Sequence, residues 1–230
     1  MATIVIIPGS FAPPSLYKPL AQSLAQHGLP FEIVDLPSVG RKEGKEPATM
    51  SDDVDEIVSV VEKLLNEDKE VALLAHSYGG VPGTQSLEKL SQKARQSEGR
   101  TGGVSKIIYI AGVALPDDYM TLTPACAPFV YSESPAEEAL KLAKELPQQS
   151  TASYRDQLTY PGYKDVEVHY IVCERDELVL PEYQSGMVEL LKGMTSGQVG
   201  VHRIQSGHTP NLTHPGSVTK IIKHILEEKR

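Results

Sequence analysis

The sequence contains few cysteines, no tryptophan and no long apolar segment. Only two cysteines occur among 230 residues, which argues against a disulfide framework and against a cysteine-based zinc site. One of them, Cys173, ends an apolar run, where we expect a buried thiol. No apolar run approaches the ~20 residues that a membrane-spanning helix needs. We expect no membrane partner, no metal and no other cofactor.

Positive charge is also scarce. Twenty-two Lys and Arg residues against 30 Asp and Glu residues give a formal net charge of −8, which disfavours binding to nucleic acid or to anionic bilayers. The segment Met1–Gly9 lacks a positively charged lead, and its apolar run is too short for a secretory signal. We therefore expect a cytoplasmic protein with no nucleic acid partner. The sequence leaves a homodimer open.

Short β-rich apolar runs alternate with longer amphipathic segments along most of the chain. This alternation is typical of parallel βαβ units, and the length suits one domain. We predict a single α/β domain over residues 1–230, with a small, mostly parallel sheet and helices on both faces. The six predicted strands are Thr3–Ile7, Phe31–Asp35, Val71–Ala75, Lys106–Gly112, Val166–Cys173 and Gly200–Ile204. Amphipathic helices are predicted around Leu16–Leu24, Val54–Leu65 and Ser217–Glu228.

Two stretches fall outside this alternation. Residues 90–103 are rich in Gln, Ser, Arg and Gly, which predicts the end of a helix and then a solvated loop. Residues from about 116 to 164 hold many prolines and one amphipathic run, Pro135–Leu146. A connection this long is usually a lid or a binding loop, so we interpret it as a cap; the alternative is a peripheral excursion without substrate contact. Its candidate pocket residues are Tyr119, Phe129, Tyr131, Tyr154, Tyr160 and Tyr163.

The segment Val71–Gly80 carries the strongest chemical signal. An apolar strand runs into Ser77, which is flanked two residues away on each side by the small residues Ala75 and Gly79. A nucleophile on a sharp turn from strand to helix has a strained backbone and requires small neighbours at those positions. Such a turn exposes the hydroxyl of Ser77 and directs the amide of Tyr78 to the same point. The alternative is an ordinary glycine-rich turn.

A serine nucleophile needs a histidine as base, and the sequence has seven. The predicted elements disfavour most of them, and His76, although next to Ser77, is expected to face away from the pocket. His208 follows the last strand, where it can lean over the carboxyl ends of the strands. His214 better suits the cap of the last helix. We therefore favour His208.

The acid that orients the histidine is sought after the strand that ends at Cys173. Among the acidic residues there, Asp176 is our choice over Glu174, which can pair with Arg175, and over Glu177. Asp117 and Asp118, one strand earlier, are rivals. The order Ser, Asp, His is the one found in α/β-hydrolases. The amide of Tyr78 and that of Ser10 or Phe11, in the loop after the first strand, are the candidate oxyanion donors.

Several of these segments resemble the α/β-hydrolase superfamily, and within it the plant methylesterases and hydroxynitrile lyases. The similar segments are Pro8–Gly9, Tyr17–Leu20, Asp35–Gly40, Ala75–Gly80, Tyr170–Asp176 and Gly207–His208. The resemblance implies a triad of Ser77, Asp176 and His208. Two departures stand out. Pro8 replaces a histidine, and Thr209 stands where the cyanohydrin-cleaving members carry a lysine, which weakens the lyase interpretation.

Together, the residues and the resemblance predict hydrolysis of a small carboxylic ester or lactone through an acyl-enzyme on Ser77. A lyase, decarboxylase or cyclase on the same fold would use His208 as acid and base without an acyl-enzyme. A small-ligand receptor without turnover is a third hypothesis, and the intact triad argues against it.

Overall fold

The computed structural model describes residues 2–40, 44, 46–112, 126–195 and 198–228. These residues contain one sheet of six strands, all paired in parallel, so the predicted fold class is confirmed. The strands are β1 (Thr3–Ile7), β2 (Phe31–Ile33), β3 (Val71–His76), β4 (Val104–Ile110), β5 (Glu167–Cys173) and β6 (Val199–Ile204). Their order across the sheet is β2-β1-β3-β4-β5-β6.

Helices connect the strands. They are α1 (Lys18–Gln26), α2 (Met50–Asn66), α3 (Gly80–Leu90), α4 (Gln92–Ser97), α5 (Ala127–Val130), α6 (Ala136–Glu145), α7 (Pro181–Met194), α8 (Pro210–Thr213) and α9 (Pro215–Glu227). Residues 90–103 contain the end of α3, the short helix α4 and then a mostly exposed loop, which agrees with the prediction of a helix end followed by a loop. Ser91 caps α4 by accepting a hydrogen bond from Ala94 N, and the buried Arg95 donates to the carbonyl oxygen of Thr101. These two contacts stabilise α4 although its segment contains few apolar residues.

The sheet is covered on both faces, which explains why its strands read as continuous apolar runs rather than alternating ones. One face packs on α2, α3 and α7 through side chains such as Val5, Leu73 and Ile107. The opposite face packs on α1 and α9 through their neighbours Ile4, Ala72 and Ile108. Successive residues of a strand therefore enter two different cores.

The strand order predicts a crevice at the carboxyl ends of β1 and β3. The chain runs from β1 outward to β2 and then crosses to β3 on the other side of β1. At such a switch point the loops that follow the two adjacent strands, here β1 and β3, turn in opposite directions. Ligands of open α/β sheets bind between these loops. The loop after β1 and the turn after β3 carry Ser10 and Ser77, respectively.

The described part of the predicted cap, residues 126–164, contains α5, α6 and two short 3-10 helices, Thr151–Tyr154 and Gly162–Lys164. Helix α6 occupies the amphipathic run that was predicted at Pro135–Leu146. The end of the segment joins the loop after β2, because Gly40 N donates to Gln148 O and Ser150 N donates to Ser38 O. The candidate residues Asp117, Asp118 and Tyr119 lie outside the described residues.

Candidate active site

Ser77 lies at the sharp turn between β3 and α3. Its φ angle is +48°, in the left-handed region that side chains other than glycine seldom adopt. A Cβ atom at Gly79 would lie 2.5 Å from the carbonyl oxygens of Ile7 and Pro8. The end of β1 therefore passes directly beside the turn, which is the physical reason why residue 79 must be small.

Ser77, His208 and Asp176 form a continuous hydrogen-bonded chain. Ser77 Oγ lies 3.2 Å from His208 Nε2, and His208 Nδ1 lies 2.8 Å from Asp176 Oδ2. All three residues are buried. The carboxylate accepts from Nδ1–H, so in the neutral imidazole Nε2 is the acceptor and the Ser77 hydroxyl is the donor. This is the arrangement that general-base activation of a serine requires.

The Asp176 carboxylate is fixed by further contacts. Its Oδ1 accepts hydrogen bonds of 2.9 Å from the amides of Leu178 and Val179, and its Oδ2 accepts from Gln184 Nε2 at 3.1 Å. Gln184 is fully buried in α7 and was not identified from the sequence. Three donors other than the imidazole therefore hold the carboxylate in the orientation that faces His208.

The two alternatives for these roles, Glu174 for the acid and His214 for the base, make other contacts. Glu174 pairs with Arg203 at 3.3 Å, not with Arg175 as suggested by the sequence. His214 is the N-cap residue of α9, as predicted from its position, and its Nδ1 lies 2.9 Å from Thr213 Oγ1. Neither is part of the chain of contacts around Ser77.

His76 contradicts the expectation that it faces away from the pocket. Its Nε2 lies 2.8 Å from the carbonyl oxygen of His208, and its Nδ1 lies 2.7 Å from the hydroxyl of Tyr17. Because a carbonyl only accepts, Nε2 carries the proton and Nδ1 accepts from Tyr17. Burial lowers the pKa of His76 to about 3, which keeps this ring neutral. The strand-to-helix turn predicts the direction of the Ser77 side chain. It gives no indication that the imidazole of His76 bonds to the carbonyl oxygen of His208.

The Tyr17 hydroxyl also accepts a hydrogen bond of 2.9 Å from Gly9 N. Tyr17 therefore holds the loop after β1 against His76. A Cβ atom at Gly9 would lie 3.2 Å from Ser77 Cβ, so this loop passes close to the nucleophile. A side chain at residue 9 would therefore crowd both His76 and Ser77, which favours glycine there.

The two candidates for the second oxyanion donor differ in their contacts. Phe11, with φ of +58°, donates its amide to Gln149 Oε1 at 2.9 Å, so this N–H is already engaged. The amides of Ser10 and Tyr78 have no acceptor among the residues that the structure describes. Ser10 is therefore the better candidate to act with Tyr78.

A family model described as the alpha/beta hydrolase family matches residues 4–220. The chain belongs to this family. The curated protein "Probable hydrolase R7" from Phoma sp. is 31% identical over 244 residues, which cover 96% of this chain and 97% of that protein. The predictions of the α/β-hydrolase superfamily and of a hydrolase are thus confirmed.

Solved structures resemble this hydrolase in fold. The methylesterase MES16 from Arabidopsis matches with a TM-score of 0.77 at 19% identity, over 98% of this chain and 99% of that chain. Polyneuridine aldehyde esterase matches with a TM-score of 0.76 at 20% identity, over 99% and 100% of the two chains. At these identities the resemblance to the methylesterase branch concerns the fold.

A cavity of about 50 Å³ in this hydrolase opens beside Ser77 and His208. Its lining holds no Lys, Arg, Asp or Glu among the described residues, and most of the remaining side chains are apolar. The apolar lining comprises Phe11, Ala12, Leu16, Val130, Tyr131, Leu146, Leu178 and Leu212, of which the sequence had suggested only Tyr131 as a pocket residue.

The other predicted pocket residues within the described ranges are not part of the cavity lining. Phe129 is 46% exposed, and Tyr154 packs edge-on against Tyr78 with 5.3 Å between ring centroids. Tyr160 donates to Asp165, and Tyr163 is buried in the core. Sequence position within the cap gave no means of distinguishing these tyrosines from Tyr131.

The described part of the hydrolase contains no cluster of three or more His, Cys, Asp or Glu side chains suited to a metal ion. None of its helices has both the length and the hydrophobicity that crossing a bilayer requires.

Proposed function

We propose that this hydrolase cleaves a small, uncharged carboxylic ester or lactone through an acyl-enzyme on Ser77. The observation that carries the proposal is the chain of contacts from Ser77 Oγ through His208 to Asp176, located beside an apolar cavity. The names of two structural neighbours, a methylesterase and polyneuridine aldehyde esterase, are consistent with ester chemistry.

In the acylation step, Ser77 Oγ attacks the carbonyl carbon of the ester while His208 Nε2 takes the hydroxyl proton. The negative charge that develops on the carbonyl oxygen is stabilised by hydrogen bonds from the amides of Tyr78 and Ser10. Asp176 stabilises the imidazolium and fixes its tautomer. When the carbon–oxygen bond to the alcohol breaks, Nε2–H protonates the leaving oxygen.

In the deacylation step, His208 Nε2 removes a proton from a water molecule that attacks the acyl carbon. The same two amides stabilise the second tetrahedral intermediate. Its collapse returns the proton from Nε2 to Ser77 Oγ and releases the carboxylic acid. A lactone follows the same course, except that alcohol and acid remain in one product molecule.

The substrate class follows from the cavity lining. A charged group placed there would lose its hydration without meeting an ionic partner among the described lining residues, which is costly. The cavity is also far smaller than the ~300–1,000 Å³ typical of pockets for drug-sized ligands. We therefore propose a short, neutral, apolar acyl group. An ester with a terminal carboxylate or ammonium on that group is expected to react much more slowly than its neutral counterpart.

The proposal is tested with short aryl esters, methyl esters and lactones on wild type and Ser77→Ala, with exposed Ser97→Ala as the control. Removing a catalytic serine costs up to ~10⁶ in turnover in a serine protease, so we expect turnover to vanish only in Ser77→Ala. A fluorophosphonate should add its mass to wild type and Ser97→Ala alone. Equal turnover in Ser77→Ala would contradict the proposal, and turnover without any serine adduct would favour the lyase-type alternatives.

A further inference from the structure

A buried carboxylate lies behind the nucleophile turn. Asp53, in the first turn of α2, is 0% exposed. Its Oδ2 accepts from Tyr78 Oη at 2.7 Å and from Ser38 Oγ at 2.6 Å, and its Oδ1 accepts from Ser38 N at 2.9 Å. Tyr78 is the residue whose backbone amide we assign to the oxyanion pocket. One end of the network is therefore attached to the first oxyanion donor.

The same network reaches the loop after β1. Gln149 Nε2 donates to Ser38 Oγ at 2.6 Å, and Gln149 Oε1 accepts from Phe11 N at 2.9 Å. Phe11 directly follows Ser10, the second proposed oxyanion donor. Gln149 itself is buried and belongs to the segment that we interpret as the cap. The other end of the network thus holds the second oxyanion segment.

The direction of every bond in this chain follows from the charge of Asp53. A carboxylate only accepts, so both Tyr78 and Ser38 must direct their hydroxyl protons toward it. Ser38 Oγ is then left as the acceptor for the Gln149 amide group. This turns Gln149 Oε1 toward the amide of Phe11, which matches the observed contact.

A role limited to packing does not account for this arrangement. Burial raises the pKa of Asp53, which means that the site disfavours the charged form. No Lys, Arg or His in the described part of the chain forms an ion pair with it. A buried carboxylate without a cation is costly, and apolar side chains of similar size would pack at lower cost. The three hydrogen bonds from Tyr78 and Ser38 offset part of this cost, and they fix the side chain of Tyr78.

We propose that Asp53 and Gln149 are positioning residues that align the amides of Tyr78 and Ser10 as the oxyanion pocket. The inference rests on the proposed function, because an oxyanion forms only if Ser77 attacks a carbonyl carbon. Neither residue touches the substrate. Their effect is expected on the transition state, where the two amides bind the oxygen more strongly than in the ground state.

The experiment compares Asp53→Asn, Gln149→Leu and Tyr78→Phe with Tyr109→Phe. Tyr109 is a matched control, because its hydroxyl is also buried and hydrogen-bonded, to Thr84 Oγ1 at 2.6 Å, and it does not line the cavity. For each variant, kcat, KM, the midpoint of thermal unfolding and the inhibition constant of a trifluoromethyl ketone are measured. The ketone forms a hemiketal oxyanion on Ser77 and so reports directly on the pocket.

Loss of one oxyanion donor costs ~10²–10³ in kcat, so misalignment of the donors should cost roughly 10- to 100-fold. We expect Asp53→Asn and Gln149→Leu to lower kcat and ketone affinity together by that factor, with KM within about twofold. Tyr109→Phe should keep both while lowering the unfolding midpoint. If Asp53→Asn fails to fold, Gln149→Leu and Tyr78→Phe, which retain the carboxylate, provide the test.

Failure of the positioning role and failure of the proposed function give different results. If wild type turns over esters in a Ser77-dependent way but the network variants match Tyr109→Phe in kcat and ketone affinity, the positioning role alone is overturned. If wild type turns over no ester, or Ser77→Ala retains turnover, the proposed function is overturned and this inference with it.

Discussion

The imidazole of His76 donates a hydrogen bond of 2.8 Å to the backbone carbonyl oxygen of His208, the residue proposed as the general base. The two rings lie 5.1 Å apart between centroids. The residue before Ser77 therefore fixes the backbone of the turn that carries His208. Through Tyr17 the same ring is connected to Gly9, so three segments of the site share one set of contacts.

Tyr17→Phe tests this connection. Removing the hydroxyl leaves Gly9 N and His76 Nδ1 without their partner in a buried environment, which costs about 1–3 kcal/mol for each unpaired group. We expect a lower free energy of unfolding in urea and a lower kcat. Tyr170→Phe, which removes a buried hydroxyl that donates to Gly112 O, is the control and should affect stability alone. An unchanged kcat in Tyr17→Phe would show that Tyr17 does not position the site.

The neutrality of His76 predicts a dependence of stability on pH. In the unfolded chain its pKa is near 6.5, whereas burial lowers the pKa in the folded protein to about 3. Between these values the unfolded state binds the proton and the folded state does not, so stability falls as pH falls, by about 1.4 kcal/mol per pH unit. Above pH 6.5 this residue contributes no slope.

His76→Gln isolates this contribution, because glutamine can still donate to the His208 carbonyl but does not titrate. The free energy of unfolding is measured for both proteins between pH 7 and pH 4. We expect the wild type to lose stability more steeply than the variant on acidification. Parallel profiles would mean that His76 is not the neutral ring inferred from its contacts.

Asp176→Asn tests the orienting acid. The amides of Leu178 and Val179 both need an acceptor, so the Asn oxygen is expected to face them and its amide group to face His208 Nδ1. That forces the other tautomer on the imidazole, a change that costs ~10⁴ in kcat in a serine protease. We expect a loss of this order in ester turnover, together with a lower unfolding midpoint, because the Asn amide group would also face the buried donor Gln184 Nε2.

Glu174→Gln serves as the control for Asp176→Asn, because Glu174 pairs with Arg203 outside the site. It should retain turnover. Full activity in Asp176→Asn would instead assign the acid to Asp117, Asp118 or Glu174.

The sequence allowed the catalytic candidates to be predicted because each follows a strand closely. Ser77 comes directly after β3, and Asp176 and His208 lie within one short turn of the ends of β5 and β6, so parallel pairing brings them to one edge. The supporting residues gave no comparable signal. Phe11 and Gln149 are 138 positions apart, and their contact depends on how the cap segment folds back.

Asp53 is another supporting residue that could not be predicted from the sequence. In the sequence it belongs to an acidic helix start, Thr49–Asp53, where carboxylates interact favourably with the positive end of the helix dipole. Asp52 completes the capping box with Thr49, as expected for such a start. Asp53, one residue later, points to the opposite side and is buried against Tyr78 and Ser38. The sequence does not distinguish these two neighbouring carboxylates, because the burial of Asp53 depends on the path of the loop after β2, which carries Ser38.

Gly79→Ala tests the close approach between β1 and the nucleophile turn. The added methyl would lie 2.5 Å from the carbonyl oxygens of Ile7 and Pro8, both backbone atoms that cannot rotate away. Overpacking of this kind costs about 1–3 kcal/mol, and relief requires the loop that carries Ser10 to move. We expect a lower unfolding midpoint together with a loss of kcat.

Gly186→Ala, in α7, makes the same chemical change at a site where an added Cβ meets nothing within 4 Å. Because alanine favours a helix over glycine, this variant should gain about 0.5–1 kcal/mol and keep its kcat. Opposite shifts in the two unfolding midpoints, with activity lost only in Gly79→Ala, would tie the effect to the contact with β1. A Gly79→Ala variant with the stability and kcat of wild type would mean that the turn lies farther from β1 than the structure places it.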